Sequence, residues 1–165
     1  MLEAIENSAF ATVIRESPSL FGYTMVLSLH AIGLAIVVGV STVVALRLLG
    51  YASDIPLRPV ARLYPLMYTG FWINALSGLA LLAANATGML TMIMFYIKMA
   101  FIVVAVVLLA RIRSTVFSEA ALAADVIDES RQRRLAGGLI WCWVGAIIAG
   151  RLTGYPFFVA DWFGI

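Results

Sequence analysis

The stretch LFGYTMVLSLHAIGLAIVVGVSTVVAL, residues 20–46, contains no Asp, Glu, Lys or Arg. A helix crosses the hydrocarbon core of a bilayer with about 20 mostly apolar residues. This stretch exceeds that length, and its one ionisable side chain is His30. It therefore predicts a membrane-spanning helix from about Leu20 to Leu46. Three further segments read the same way: Tyr64 to Ala84, Thr91 to Ala110 and Leu135 to Phe157. Four spans with short connections predict an all-α, integral membrane four-helix antiparallel bundle, a single membrane domain over residues 1–165.

Composition agrees. Of 165 residues, 63% are apolar and 12% charged, and the mean hydropathy is +1.01. A soluble domain carries about 25% charged residues, so this chain cannot cover a water-facing surface of its size. A cytosolic enzyme, a disordered tail and a nucleic-acid binder are excluded on that ground. The net charge is +2. One cysteine, Cys142, excludes a disulfide framework and a CxxC metal or redox site within one chain. One histidine, His30, excludes a bis-histidine site within one chain.

Charge sets the expected orientation. The loop between the first two spans, with its flanks, carries Arg47, Arg58 and Arg62; the segment between the last two carries Arg111, Arg113, Arg131, Arg133 and Arg134. The opposite side has Arg15 alone. The positive-inside rule then places both termini outside the bacterial inner (plasma) membrane. The segment from about Thr115 to Arg134 reads as a helix on the cytoplasmic surface. Its acids come early and its arginines late, which suits the helix dipole, and Glu129 and Arg133 stand four apart as an ion pair. The N-terminal MLEAIENSAF lacks a basic n-region and carries Glu3 and Glu6, so it reads as a short surface helix ending near Ser17-Pro18 rather than a secretory signal.

Ionisable groups at membrane depth are costly and mark candidate sites. His30, Lys98 and Arg151 qualify. By the rise of a helix, all three fall between the outer surface and the midplane. On the second span, Gly70, Asn74, Ser77, Gly78 and Leu81 share one face; Asn74 and Ser77 can hydrogen-bond a ligand or a neighbouring helix. Gly33, one turn from His30, leaves room for a flat ligand. Two chemistries follow. A haem b would take His30 on its iron, Lys98 and Arg151 at its propionates, Gly33 beneath its ring, and Trp72 or Phe101 at its edge. Met94, four residues from Lys98, is a candidate sixth ligand, as are Lys98 itself, water and a partner subunit. Copper is the alternative: Met89, Met92 and Met94 stand at the entrance of the third span, with Met25 on the first, and thioethers suit Cu(I). The plain reading is packing and snorkelling: a histidine bonded across the bundle, cations reaching head groups, Arg151 pairing with Asp161, and glycines at helix contacts. No catalytic triad, carboxylate pair, zinc motif or phosphate loop is present, and no acidic residue lies inside a span.

The runs LSLHAIGLAIVVGVSTVVALRLLG, YTGFWINALSGLALLAANA, FYIKMA and WCWVGAIIAGRLTGY resemble an uncharacterised bacterial four-helix membrane family that carries a domain-of-unknown-function label. The resemblance rests on His30 and Arg47, on Gly70-Phe71 and Ser77-Gly78, on Lys98, and on Gly150-Arg151. More distantly, the layout is similar to HemJ-type protoporphyrinogen oxidases and CopD-type copper-resistance membrane proteins. In HemJ-type proteins a first-helix histidine and a third-helix lysine accompany haem b and porphyrin chemistry; His30 and Lys98 stand in comparable places. The further histidines and the first-helix tryptophan of that family are absent here, so its oxidase activity is not implied. The resemblance implies the four-helix fold and a haem or porphyrin pocket. The expected function is electron transfer by a haem-b-binding membrane protein. Its expected partners are the lipid bilayer and other membrane or periplasmic subunits, or further copies of the chain. The rivals are a non-catalytic scaffold subunit and a copper-handling protein.

Overall fold

A computed structural model describes residues 2–17, 19–118 and 129–155. Among these residues there are eight helices and no strand: α1 (Leu2–Glu6), α2 (Ala9–Glu16), α3 (Tyr23–Leu49), α4 (Leu57–Ala61), α5 (Tyr64–Ala84), α6 (Ala86–Leu90), α7 (Ile93–Val116) and α8 (Glu129–Leu152). Five of them form four spans: α3, α4 with α5, α7 and α8 are long and apolar enough to span a membrane. Between 17% and 33% of their apolar windows is buried inside the protein. The rest, including Leu76, Leu79, Val103 and Trp141, faces outward. A helix that is apolar all round and unburied by its own chain belongs in lipid. The chain is a multi-pass, all-α membrane protein.

The expected second span, Tyr64 to Ala84, coincides with α5. Its start is set by Pro65 in the first turn, where a missing N–H costs no hydrogen bond. The other spans differ at their ends, because hydropathy marks where apolar residues stop and not where backbone hydrogen bonding stops. Helix α3 continues past Arg47 to Leu49 and ends at Gly50, whose φ of 94° is the left-handed conformation glycine adopts freely. Helix α7 carries Arg111 and Arg113 within it, and α8 is already helical at Glu129, its first described residue, ahead of the expected Leu135. Its described end, Leu152, falls before the expected Phe157. Thr115 and Val116 thus belong to α7, and residues 129–134 to α8; the middle of the expected surface helix lies outside the described residues, as do Phe157 and Asp161. The Glu129–Arg133 ion pair does not form: among the described residues neither side chain has a salt-bridge partner within 4.0 Å.

The long helices pack in the order α5–α3–α8–α7. The row curls, but α5 and α7 make no extended contact. The bundle is thus a horseshoe with one open side. Its tight core lies towards the arginine-rich end, around Val44, Ile112, Val116 and Leu139, each 2% exposed or less. At the opposite end the N-terminal segment forms two helices, not one. Ser8 splits them by accepting the Ala11 N–H at 3.3 Å as an N-cap. Helix α2 buries Ala11 and Ile14, and both short helices dock on the ends of the spans. Arg15 donates to the Ala84 carbonyl at 3.3 Å, at the last turn of α5, and Glu6 accepts the Thr87 N–H at 3.1 Å. The pairing ties this cap to α5 and α6.

Candidate functional site

Helices α3 and α5 cross in close contact where glycine replaces a side chain on each. A Cβ at Gly33 would lie 2.5 Å from the Asn74 nitrogen and 2.8 Å from the Gly70 oxygen; one at Gly70 would lie 2.5 Å from Ile36 Cγ2. Such small-residue crossings let backbones approach in a membrane bundle. Here the approach lets His30 reach the backbone of α5.

His30 Nδ1 lies 2.9 Å from the Asn74 carbonyl oxygen and 3.3 Å from Ser77 Oγ. A carbonyl only accepts, so Nδ1 carries the proton and donates. In the neutral ring, Nε2 then carries the lone pair, the arrangement in which histidine ligates a metal. The bond is reciprocated: Asn74 Nδ2 donates to the His30 carbonyl at 2.8 Å. Ser77 Oγ donates to the Ile73 carbonyl, and so faces His30 as an acceptor. Gly78 completes the seat, since a Cβ there would stand 3.0 Å from His30 Cε1 and 3.3 Å from Nδ1. Nε2 has no hydrogen-bond partner among the described residues.

The ring lines a cavity of about 260 Å³ on the open side of the horseshoe, with Asn74, Gly78, Phe95, Lys98 and Met99 among its walls. Lys98 reaches it along a groove on α8, where a Cβ at Gly150 would lie 3.4 Å from the lysine Cδ. Its ammonium has no hydrogen-bond or ion-pair partner among the described residues. A second cavity of about 220 Å³ continues the cleft towards the arginine-rich end. Phe71 lines both; Met67, Trp72 and Trp143 line the second.

The cavity thus gathers His30, Asn74 and Lys98, with Ser77 behind the ring. It does not gather the other residues expected from sequence. Gly33 faces the α5 backbone and clears no ligand. Arg151 is exposed and Met94 buried, and neither lines the cavity. Phe101 is packed where a Cβ at Gly145 would come within 2.7 Å of its ring, while Trp72 borders the second cavity. Met25, Met89 and Met92 are likewise absent from the lining; the methionine that lines the cavity with His30 is Met99. Sequence reading missed Met99 because it is off the Met94–Lys98 face, and it read Gly78 as part of a packing stripe. No family model, curated protein or solved structure matches this chain.

Proposed function

We propose that the protein holds haem b in the cleft between α5 and α7 and passes electrons as a subunit or partner of a periplasm-facing oxidoreductase. The observation that carries this reading is the His30 ring: Nδ1–H held by the Asn74 carbonyl, Nε2 unpartnered, at the wall of a cavity. His30 is half-buried, with its Nε2 left open beside the cavity rather than sealed in the protein; within a membrane an open polar nitrogen gains from a ligand that satisfies it. The donor set fits the group: an imidazole, the Lys98 ammonium for a propionate, and aromatic and aliphatic walls from Phe71, Phe95 and Ile102. Bound there, haem would supply a one-electron iron couple. His30 would ligate, Asn74 and Ser77 would fix the ring's tautomer and angle, and Lys98 would anchor a carboxylate. Arginine asymmetry, eight against one, favours both termini outside and the cavity in the outer half of the bacterial inner membrane.

A second reading has its own support. The reciprocal His30–Asn74 bonds knit α3 to α5, as a scaffold subunit without a cofactor would need. Copper bound through His30 and Met99 is the metal-based alternative. The test is a reduced-minus-oxidised visible spectrum of protein purified in mild detergent, with haem and copper quantified on the same sample. Near-stoichiometric haem, lost in His30→Ala and retained in Arg151→Ala, is the expected result. Folded protein made with ample haem and showing no Soret band would overturn it. Its copper content would then separate the two alternatives.

A further inference from the structure

At the arginine-rich end, away from the cleft, a hollow of about 440 Å³ opens between the end of α3 and the start of α8. Arg47, Ser53, Gln132 and Arg133 form its polar walls with Glu129, and Leu48 and Leu57 also line it. Arg47 is held in place: its Nε donates to the Ile55 carbonyl, and its two terminal nitrogens have no partner among the described residues. The Arg133 side chain has no hydrogen bond and no carboxylate within salt-bridge distance among the described residues. Gly50 turns the chain beneath it, and a Cβ at that glycine would stand 3.5 Å from Arg133 Nη2.

We infer that this hollow binds a phosphate group, presented by an anionic lipid head group or by a soluble phosphate ester. Two arginines line one hollow, and Glu129 is the one acidic residue among its described lining. Guanidinium forks match phosphate oxygens in geometry and hold them by charge-assisted hydrogen bonds. Basic pockets between membrane helices are places where phospholipid head groups bind. Arg47 sits two residues from the end of a spanning helix, at the level where such head groups lie. Leucines beside the guanidinium groups give a glycerol or acyl chain an apolar surface, which favours the lipid source.

The test is the melting temperature of the purified protein in detergent, titrated with cardiolipin, phosphatidylglycerol, phosphatidylcholine, inorganic phosphate and glycerol phosphate. Cardiolipin or phosphatidylglycerol should raise it more than phosphatidylcholine does. Arg133→Gln should weaken the effective affinity about tenfold, the scale of one lost charge-assisted hydrogen bond. Arg133→Lys should recover part of it, and Glu129→Gln should strengthen binding. Arg47→Gln should weaken binding too, but it also loses the Ile55 contact, so Arg133→Gln is the deciding variant. The charge-matched control Arg134→Gln, outside the hollow, should change little. Equal stabilisation by glycerol phosphate and by lipid would support the phosphate site and assign a soluble source. Equal loss in Arg134→Gln and Arg133→Gln, or no stabilisation by any of these compounds, would overturn the inference.

Discussion

Glycine at position 33 and glycine at position 39 lie on the same helix, yet their surroundings differ. A methyl at Gly33 would collide with the backbone of α5, while nothing lies within 4 Å of one at Gly39. Backbone cannot rotate away as a side chain can, so Gly33→Ala must part α3 from α5. It is expected to cost about 1–3 kcal/mol, the range for overpacking. Gly39→Ala is expected to be neutral or slightly stabilising, since alanine is the better helix former. Unfolding of both variants in mixed micelles measures the difference; equal stability would refute the close crossing. The same contrast shows what sequence can convey at this scale. That His30, Asn74, Ser77 and Lys98 are candidates was legible, because polar groups stand out in an apolar chain, and the structure brings them together around one cavity. That Gly33 is a crossing point, Gly78 the imidazole's seat and Arg151 turned outward was not legible. Each span is apolar around its whole circumference, so no polar face fixes its rotation.

The elements were legible in proportion to their apolar length. The four spans followed from hydropathy; the break at Ser8 did not, because a single serine N-cap is a weak signal in so short a segment. The cap that α1 and α2 form has a pH dependence of its own. Hydrogen bonds from Thr87 to the Glu6 carboxylate lower its pKa from the ordinary glutamate value, and Arg15 adds to the effect. A carboxyl whose folded pKa is depressed contributes stability above its unfolded pKa and loses it as pH falls through the folded value. Docking of the cap is therefore expected to hold at neutral pH and to loosen only below the ordinary carboxylate range. Hydrogen exchange at the Thr87 amide should speed up at acid pH beyond the intrinsic trend. In Glu6→Gln that extra acceleration should vanish. Persistence of the pH effect in Glu6→Gln would assign it to another group.

Across the whole molecule, packing is uneven. The arginine-rich half is closed around Ile112, Leu139 and Val44, and the other half opens into the cleft. Leu139→Ala, at a fully buried position, is expected to lose about 2–5 kcal/mol. Leu79→Ala, at a position 62% exposed on the cleft side, is expected to change stability by about 0.5 kcal/mol or less. Denaturant titration of the two side by side measures the asymmetry; comparable losses would mean that the cleft half is as tightly packed as the core.

Helices α5 and α7 are bridged at the arginine-rich end, where Arg113 donates to the Tyr68 hydroxyl, and the gap beyond that bridge also determines how a molecule would arrive. The cleft between them is bordered by outward-facing residues such as Trp72, Leu79 and Met99, so its threshold is the acyl-chain region of the bilayer. A compound that partitions into lipid would, on the proposed function, reach His30 by two-dimensional diffusion in the plane of the membrane. Its supply is then set by its membrane concentration, and washing the aqueous phase would not empty the site.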